Sequence, residues 1–160
     1  ALPAERAAME EILDRIEAFG AEGKVEDAAA EYRKAQALAP ANRDYITRPL
    51  MLYLKAGKER EAFAEVHRWL DQAPSDSTRC WVAASLYMRQ SRYGEAVPLI
   101  ECTIAGPLPP EVPPGMPRLE LARGYLALRN FEAALRNAEE ARRLGEPRAD
   151  AVTKQIRAAR

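Results

Sequence analysis

Apolar residues along this chain recur every three or four positions, the spacing that gathers them on one side of an α-helix. Ile12, Leu13, Ile16 and Phe19 form the first such stripe, and Gly20 and Gly23 punctuate its end. Ala28, Tyr32 and Ala35 form a second stripe over Val25 to Leu38. That helix stops before Pro40, because the residue preceding a proline is pushed out of the helical region. The same reading predicts helices over 45–55, 58–72, 78–90, 93–104, 117–128 and 131–144, with turns at Ala56-Gly57, Ser91 and Arg129-Asn130. Asp76, Ser77 and Thr78 are N-cap candidates, and Pro3 and Pro117 suit the first turn of a helix. No segment alternates with period two, so no sheet is expected.

The helices come in pairs with a fixed period. Gly23 and Gly57 are 34 residues apart, as are Pro40 and Pro74. Phe19, Tyr53 and Tyr87 step by 34, and so do Ala28, Ala62 and Ala96. From Tyr87 to Tyr125 and from Ala96 to Ala134 the step is 38, which places four extra residues in the segment Gly106 to Pro117. Six prolines between Pro107 and Pro117 read as a stiff, extended, hydrogen-bond-free connector between the third and fourth copies, in preference to a proline-rich ligand.

These positions resemble the tetratricopeptide repeat (TPR) pattern, a 34-residue helical hairpin with aromatics and small residues at set places. The first copy carries Phe19, Gly23, Ala28, Tyr32, Ala35 and Pro40; the second carries Tyr53, Gly57, Ala62 and Pro74. The third carries Ala83-Ala84, Tyr87, Tyr93 and Ala96. The fourth carries Leu121-Ala122, Tyr125, Phe131, Ala134, Ala138 and Ala141. Ile16, Leu50 and Trp69 stand where the pattern has small residues, so wider or shifted packing is expected around them. The resemblance implies an all-α fold: a right-handed α-solenoid of four hairpins in a single domain over 1–160. The repeats run about 9–42, 43–76, 77–114 and 115–147. Ala149, Val152 and Ile156 then share one face of a C-terminal capping helix, about 148–159, which shields the last repeat.

The resemblance also implies a binding surface. In the family, first helices of successive copies line a concave groove that holds a peptide or helix of a partner protein. Residues pointing away from the packed stripe are Leu13 and Glu17 in the first copy, and Asp44, Thr47, Arg48, Met51 and Lys55 in the second. They are Trp81, Ser85, Met88 and Arg89 in the third copy, and Leu119, Arg123 and Leu126 in the fourth. Met51, Trp81, Met88 and Leu119 would give an adaptable apolar floor, with Arg48, Lys55, Arg89 and Arg123 as donors. Met51, Trp81 and Met88 have an equally weighted reading as core. Some family members grip a C-terminal carboxylate with a Lys-and-Asn clamp; here Glu17, Met51, Ser85 and Arg123 occupy the clamp sites, so that role is not expected.

Charge and composition narrow the classes. The 24 basic and 24 acidic residues balance, which argues against a nucleic-acid binder, since phosphate backbones need clustered cations. Nineteen of the basic residues are arginine, a hint of a GC-rich bacterial genome. Charged residues at 30% and hydrophobic residues at 48% fit a soluble domain. No apolar run approaches the roughly 20 residues that span a bilayer. The chain opens on Ala1 rather than Met, which reads as a processed protein or a cut piece of a longer one. The compartment stays open between bacterial cytoplasm and periplasm.

Candidate chemistry is sparse. Phosphate-cradling glycine loops are absent, and one histidine, His67, cannot build a metal cluster. Glu10-Glu11, Glu59, Glu61 and Glu139-Glu140 read as solvated helix faces rather than acid/base pairs. Cys80 and Cys102 match no zinc or redox spacing, and two separate packed thiols are expected in preference to one disulfide. The chain is therefore read as a non-enzymatic, cofactor-free scaffold or adaptor that binds a protein or peptide partner. Alternatives are a regulatory or targeting module of a larger enzyme or envelope assembly, and a scaffold that self-associates through its ends.

Overall fold

The computed structural model describes residues 2–160. Among them lie nine helices and no strand: α1 (Pro3–Ala21), α2 (Val25–Leu38), α3 (Asp44–Lys55), α4 (Glu59–Asp71), α5 (Ser77–Arg89), α6 (Tyr93–Ala105), α7 (Gly115–Ala127), α8 (Phe131–Arg143) and α9 (Ala149–Ala159). Eight of them pair into hairpins through short turns, and α9 follows the last pair.

One backbone motif makes all four hairpin turns. Past the end of the first helix of each pair, the chain donates an N–H back to the carbonyl of the repeat's aromatic residue. The bonds are Lys24 to Phe19 (2.9 Å), Lys58 to Tyr53 (2.8 Å), Arg92 to Tyr87 (2.9 Å) and Asn130 to Tyr125 (2.9 Å). Such a bond closes only if the residue before the donor turns left-handed. Gly23, Gly57, Ser91 and Arg129 occupy that place with φ of 71°, 72°, 55° and 61°. The 34-residue period is thus written in the turn backbone as well as in the packing residues. Left-handed backbone costs a side-chain-bearing residue roughly 1–2 kcal/mol, while glycine loses roughly 1 kcal/mol more chain freedom on folding. Ser91→Gly is therefore expected to stabilise by up to about 1 kcal/mol and Gly57→Ala to destabilise by a similar amount, read from urea unfolding midpoints.

The chain divides into two compact units, residues up to Trp69 and residues from Leu70 onward. In the first unit Ala29, Tyr53 and Ala62 form a buried cluster of α2, α3 and α4, with Val25 and Leu54 packed on it. Pro49 lies inside α3 and has no N–H to give the Tyr45 carbonyl. The Gln36 side-chain amide of α2 supplies the missing donor at 2.6 Å, so the helix continues through its proline. Buried carboxylates stitch the helices. Glu31 accepts from Arg15 of α1 at 3.0 Å and from Lys34 at 2.8 Å, and Glu65 of α4 pairs with Arg33 of α2 and with Arg68. Burial pushes the Glu31 carboxyl up, but Lys34 and Arg15 together bring it below the ordinary carboxylate value.

In the second unit two clusters stack along the repeats. Ala84, Val97, Ile100 and Leu121 join α5, α6 and α7. Leu119, Ala122, Ala134, Ala138, Ala141, Ala149, Val152 and Ile156 join α7, α8 and α9. The alanine-rich α8 lets its neighbours come close, and a Cβ on Gly124 would stand 2.7 Å from Val97 Cγ2, which marks how near α6 and α7 approach. The apolar face of α9 is buried as its pattern requires.

Two expectations are corrected here. Cys80 and Cys102 are not separate thiols; they form a disulfide between α5 and α6, with Cα atoms 6.0 Å apart. Each lies 11 residues from the Ser91 turn, so an antiparallel hairpin brings them face to face. The proline-rich connector is also not free of hydrogen bonds. Ser77 Oγ donates to the Pro107 carbonyl at 2.5 Å, and the Val112 N–H donates to the Pro109 carbonyl at 3.0 Å. Pro109 and Val112 are buried, so the segment packs on the repeats as it passes from α6 to α7.

Candidate functional site

Two helices of the second unit face an open groove with matching stripes. On α5 the stripe is Trp81, Ser85 and Met88, at i, i+4 and i+7. On α7 it is Met116, Glu120, Arg123 and Ala127, with the same spacing. Between them lies a mostly apolar cavity of about 240 Å³, lined by Trp81, Ala84, Ser85, Met88, Arg89, Ile100, Met116 and Glu120. It is continuous through Met88, Arg89 and Glu120 with a wider recess of about 540 Å³, which adds Tyr93, Arg123, Leu126, Ala127 and Gln155.

The groove is graded in polarity. Its α5 end offers aromatic, thioether and branched aliphatic surface. Its other end is charged, with Arg123 Nη1 donating to Glu120 Oε1 at 2.9 Å on the same face of α7. Arg148 donates to the buried Glu146 carboxylate at 2.7 Å. That hydrogen bond holds Glu146 below the ordinary carboxylate range against the opposing effect of burial, with a smaller contribution from Arg123. The Ser85 hydroxyl donates to the Trp81 carbonyl at 2.8 Å, so it presents its oxygen, not a free proton, to the groove.

Of the residues expected on a binding face, Trp81, Ser85, Met88, Arg89 and Arg123 come together here, with Leu126 beside them. Met88 also packs on the cluster of Ala84, Val97 and Ile100, so it serves core and groove at once. Arg48, Met51 and Lys55 lie on α3 in the first unit. Met51 is 41% exposed, Lys55 is exposed, and Arg48 sits 3.6 Å from Asp44.

Leu119 is a correction. It is fully buried and offers a partner nothing. Its position corresponds to Trp81 one repeat earlier, but α9 covers that face of α7 and seals Leu119 against Val152 and Ile156. Met116, Glu120 and Gln155 are groove residues that were not expected. Met116 was missed because α7 begins at Gly115, two residues before the expected start; the i, i+4, i+7 spacing from Met116 to Arg123 is the signal that finds both it and Glu120.

No protein-family model matches the sequence, and no curated protein does. Solved structures do. A tetratricopeptide repeat protein from Parabacteroides merdae superposes with a TM-score of 0.67 at 18% identity, over 95% of this chain and 61% of that one, so the chain spans less than two thirds of its length. PilF of Pseudomonas aeruginosa superposes with a TM-score of 0.67 at 17% identity, over 96% of this chain and 69% of that one. MamA of Desulfovibrio magneticus RS-1 gives 0.61 at 10% identity, over 94% of each chain. The chain has the tetratricopeptide-repeat fold, an all-α array of helical hairpins.

Proposed function

We propose that the chain is an adaptor whose second-unit groove holds an extended or helical segment of a partner protein. The observation that carries this reading is the apolar cavity between Trp81, Met88 and Met116, opening directly onto Arg89 and Arg123. A cavity of about 240 Å³ suits one large apolar side chain. The arginines then donate to a carboxylate or backbone carbonyl of the same segment. Arg48, Met51 and Lys55 offer a similar mix on α3 and are proposed to add contacts of their own. Truncating an anchor in such a groove costs about 2 kcal/mol or more of binding. Trp81→Ala with Arg89→Ala is expected to weaken capture of a partner from native extract by about thirtyfold, with the fold intact by circular dichroism. Unchanged capture would remove the groove assignment, and recovery of the bait alone would favour self-association.

The Cys80–Cys102 bridge bears on compartment. Structural disulfides persist where thiols are not kept reduced, so the bridge favours an oxidising compartment such as the periplasm over the cytoplasm.

A further inference from the structure

On the other side of α7 lies a second pocket that shares no residue with the groove. It has a volume of about 280 Å³ and is lined by Glu101 and Ile104 of α6, Arg118, Leu121 and Tyr125 of α7, and Ala133, Arg136 and Asn137 of α8. Arg118, Leu121 and Tyr125 are spaced i, i+3 and i+7, a stripe that points away from Met116, Glu120 and Arg123.

The arrangement around Arg118 is the feature that packing alone does not require. Asn137 is 92% buried by its 8% exposure, at a place where an apolar side chain would pack at lower cost. Its amide nitrogen donates to the Ala133 carbonyl at 2.9 Å, which fixes the amide orientation and turns Oδ1 outward. Arg118 Nη1 donates to that oxygen at 3.1 Å. The guanidinium is therefore held by a neutral acceptor while it lines the pocket. Arg136 brings a second guanidinium; its pairing with Glu132 at 3.3 Å is exposed on both sides and competes weakly. The one carboxylate in the lining, Glu101, already accepts from the Tyr125 hydroxyl at the α6 wall. Glu140, whose carboxyl Arg143 and to a smaller degree Arg118 hold below the ordinary value, is paired with Arg143.

We propose that this pocket is a second binding site, which takes a carboxylate group on Arg118 and Arg136, with Asn137 as the residue that positions Arg118. Guanidinium and carboxylate meet in matched, two-pronged geometry, and the Ile104, Leu121 and Ala133 floor accepts the methylene groups behind the charge.

The test is a titration of isotope-labelled protein by NMR, with glutarate and with a capped tetraglutamate peptide. Ionic strength is held constant with sodium chloride. Both probes are expected to give saturable shifts confined to residues around Glu101, Arg118, Tyr125 and Asn137. Arg118→Gln is expected to weaken both by about tenfold or more, the effect of losing a charge-assisted contact. Asn137→Leu is expected to weaken them while the thermal midpoint shows the helices intact; should that variant not fold, Arg118→Gln carries the test. Trp81→Ala is expected to leave both titrations unchanged. Tighter binding of the peptide assigns the carboxylate to a protein segment, and equal binding assigns it to a free small acid. Shifts that fail to saturate, that chloride alone reproduces, or that survive Arg118→Gln would overturn the proposal.

Discussion

Reducing the Cys80–Cys102 bridge is expected to lower stability by about 3 kcal/mol, the effect of opening a closed loop of this size. The two residues are 22 apart in sequence and tie α5 to α6. Those are the helices that carry Trp81, Ser85 and Met88 and that back them with Val97 and Ile100. The bridge restricts the unfolded chain of the third hairpin, so removing it costs stability even where the native contacts persist. A loss of that size corresponds to a drop of about 10 °C in the unfolding midpoint for a chain of this length. Reductant and the double variant Cys80→Ala with Cys102→Ala are expected to give matching drops by calorimetry. Unreduced protein denatured in urea should show no reactive thiol. Two reactive thiols, or a midpoint indifferent to reductant, would contradict the pairing.

Leu119→Ala is expected to cost about 3 kcal/mol, within the roughly 2–5 kcal/mol range for deleting a buried leucine side chain. Leu119 is fully buried where α7, α8 and α9 meet. Its cluster is five alanines with Val152 and Ile156, and alanine side chains have no reach to fill the space it would leave. Leu119→Met conserves volume and should cost less than about 1.5 kcal/mol. Urea unfolding measures both. The pattern is opposite to the one expected at Trp81, where truncation weakens partner capture more than it weakens the fold. A Leu119→Ala protein of normal stability that fails to capture a partner would return Leu119 to the binding face.

Much of the fold was legible in the sequence because its determinants are local and repeated. Aromatics 34 residues apart fix which carbonyl receives the turn bond, and Gly23 and Gly57 mark the left-handed residue that closes it. Ser91 and Arg129 fill the same place without glycine's signature, yet the period locates Ser91, and the 38-residue step shared by Tyr125 and Ala134 locates Arg129. Other features were hidden because they depend on a partner distant in sequence. The helix expected over 45–55 runs through Pro49, but the donor that replaces its missing N–H, the Gln36 amide on the Tyr45 carbonyl, comes from the preceding helix and has no local signal. The cysteine spacing suggests nothing as a motif, but its symmetry about Ser91 is a hairpin signal that becomes readable once the turn is fixed. Leu119 matches Trp81 by register and differs in environment, because the element after the last repeat is α9. The groove's own stripe on α7 was displaced by the early start of that helix at Gly115.

The most direct test of the adaptor reading places a photo-crosslinking residue at Ser85, inside the groove, and in a second protein at Glu139, on the exposed face of α8. Both proteins are irradiated in native extract. The account predicts a discrete adduct from the Ser85 position that Trp81→Ala abolishes, and none of that mass from the Glu139 position. The same adduct from both positions, untouched by Trp81→Ala, would contradict it.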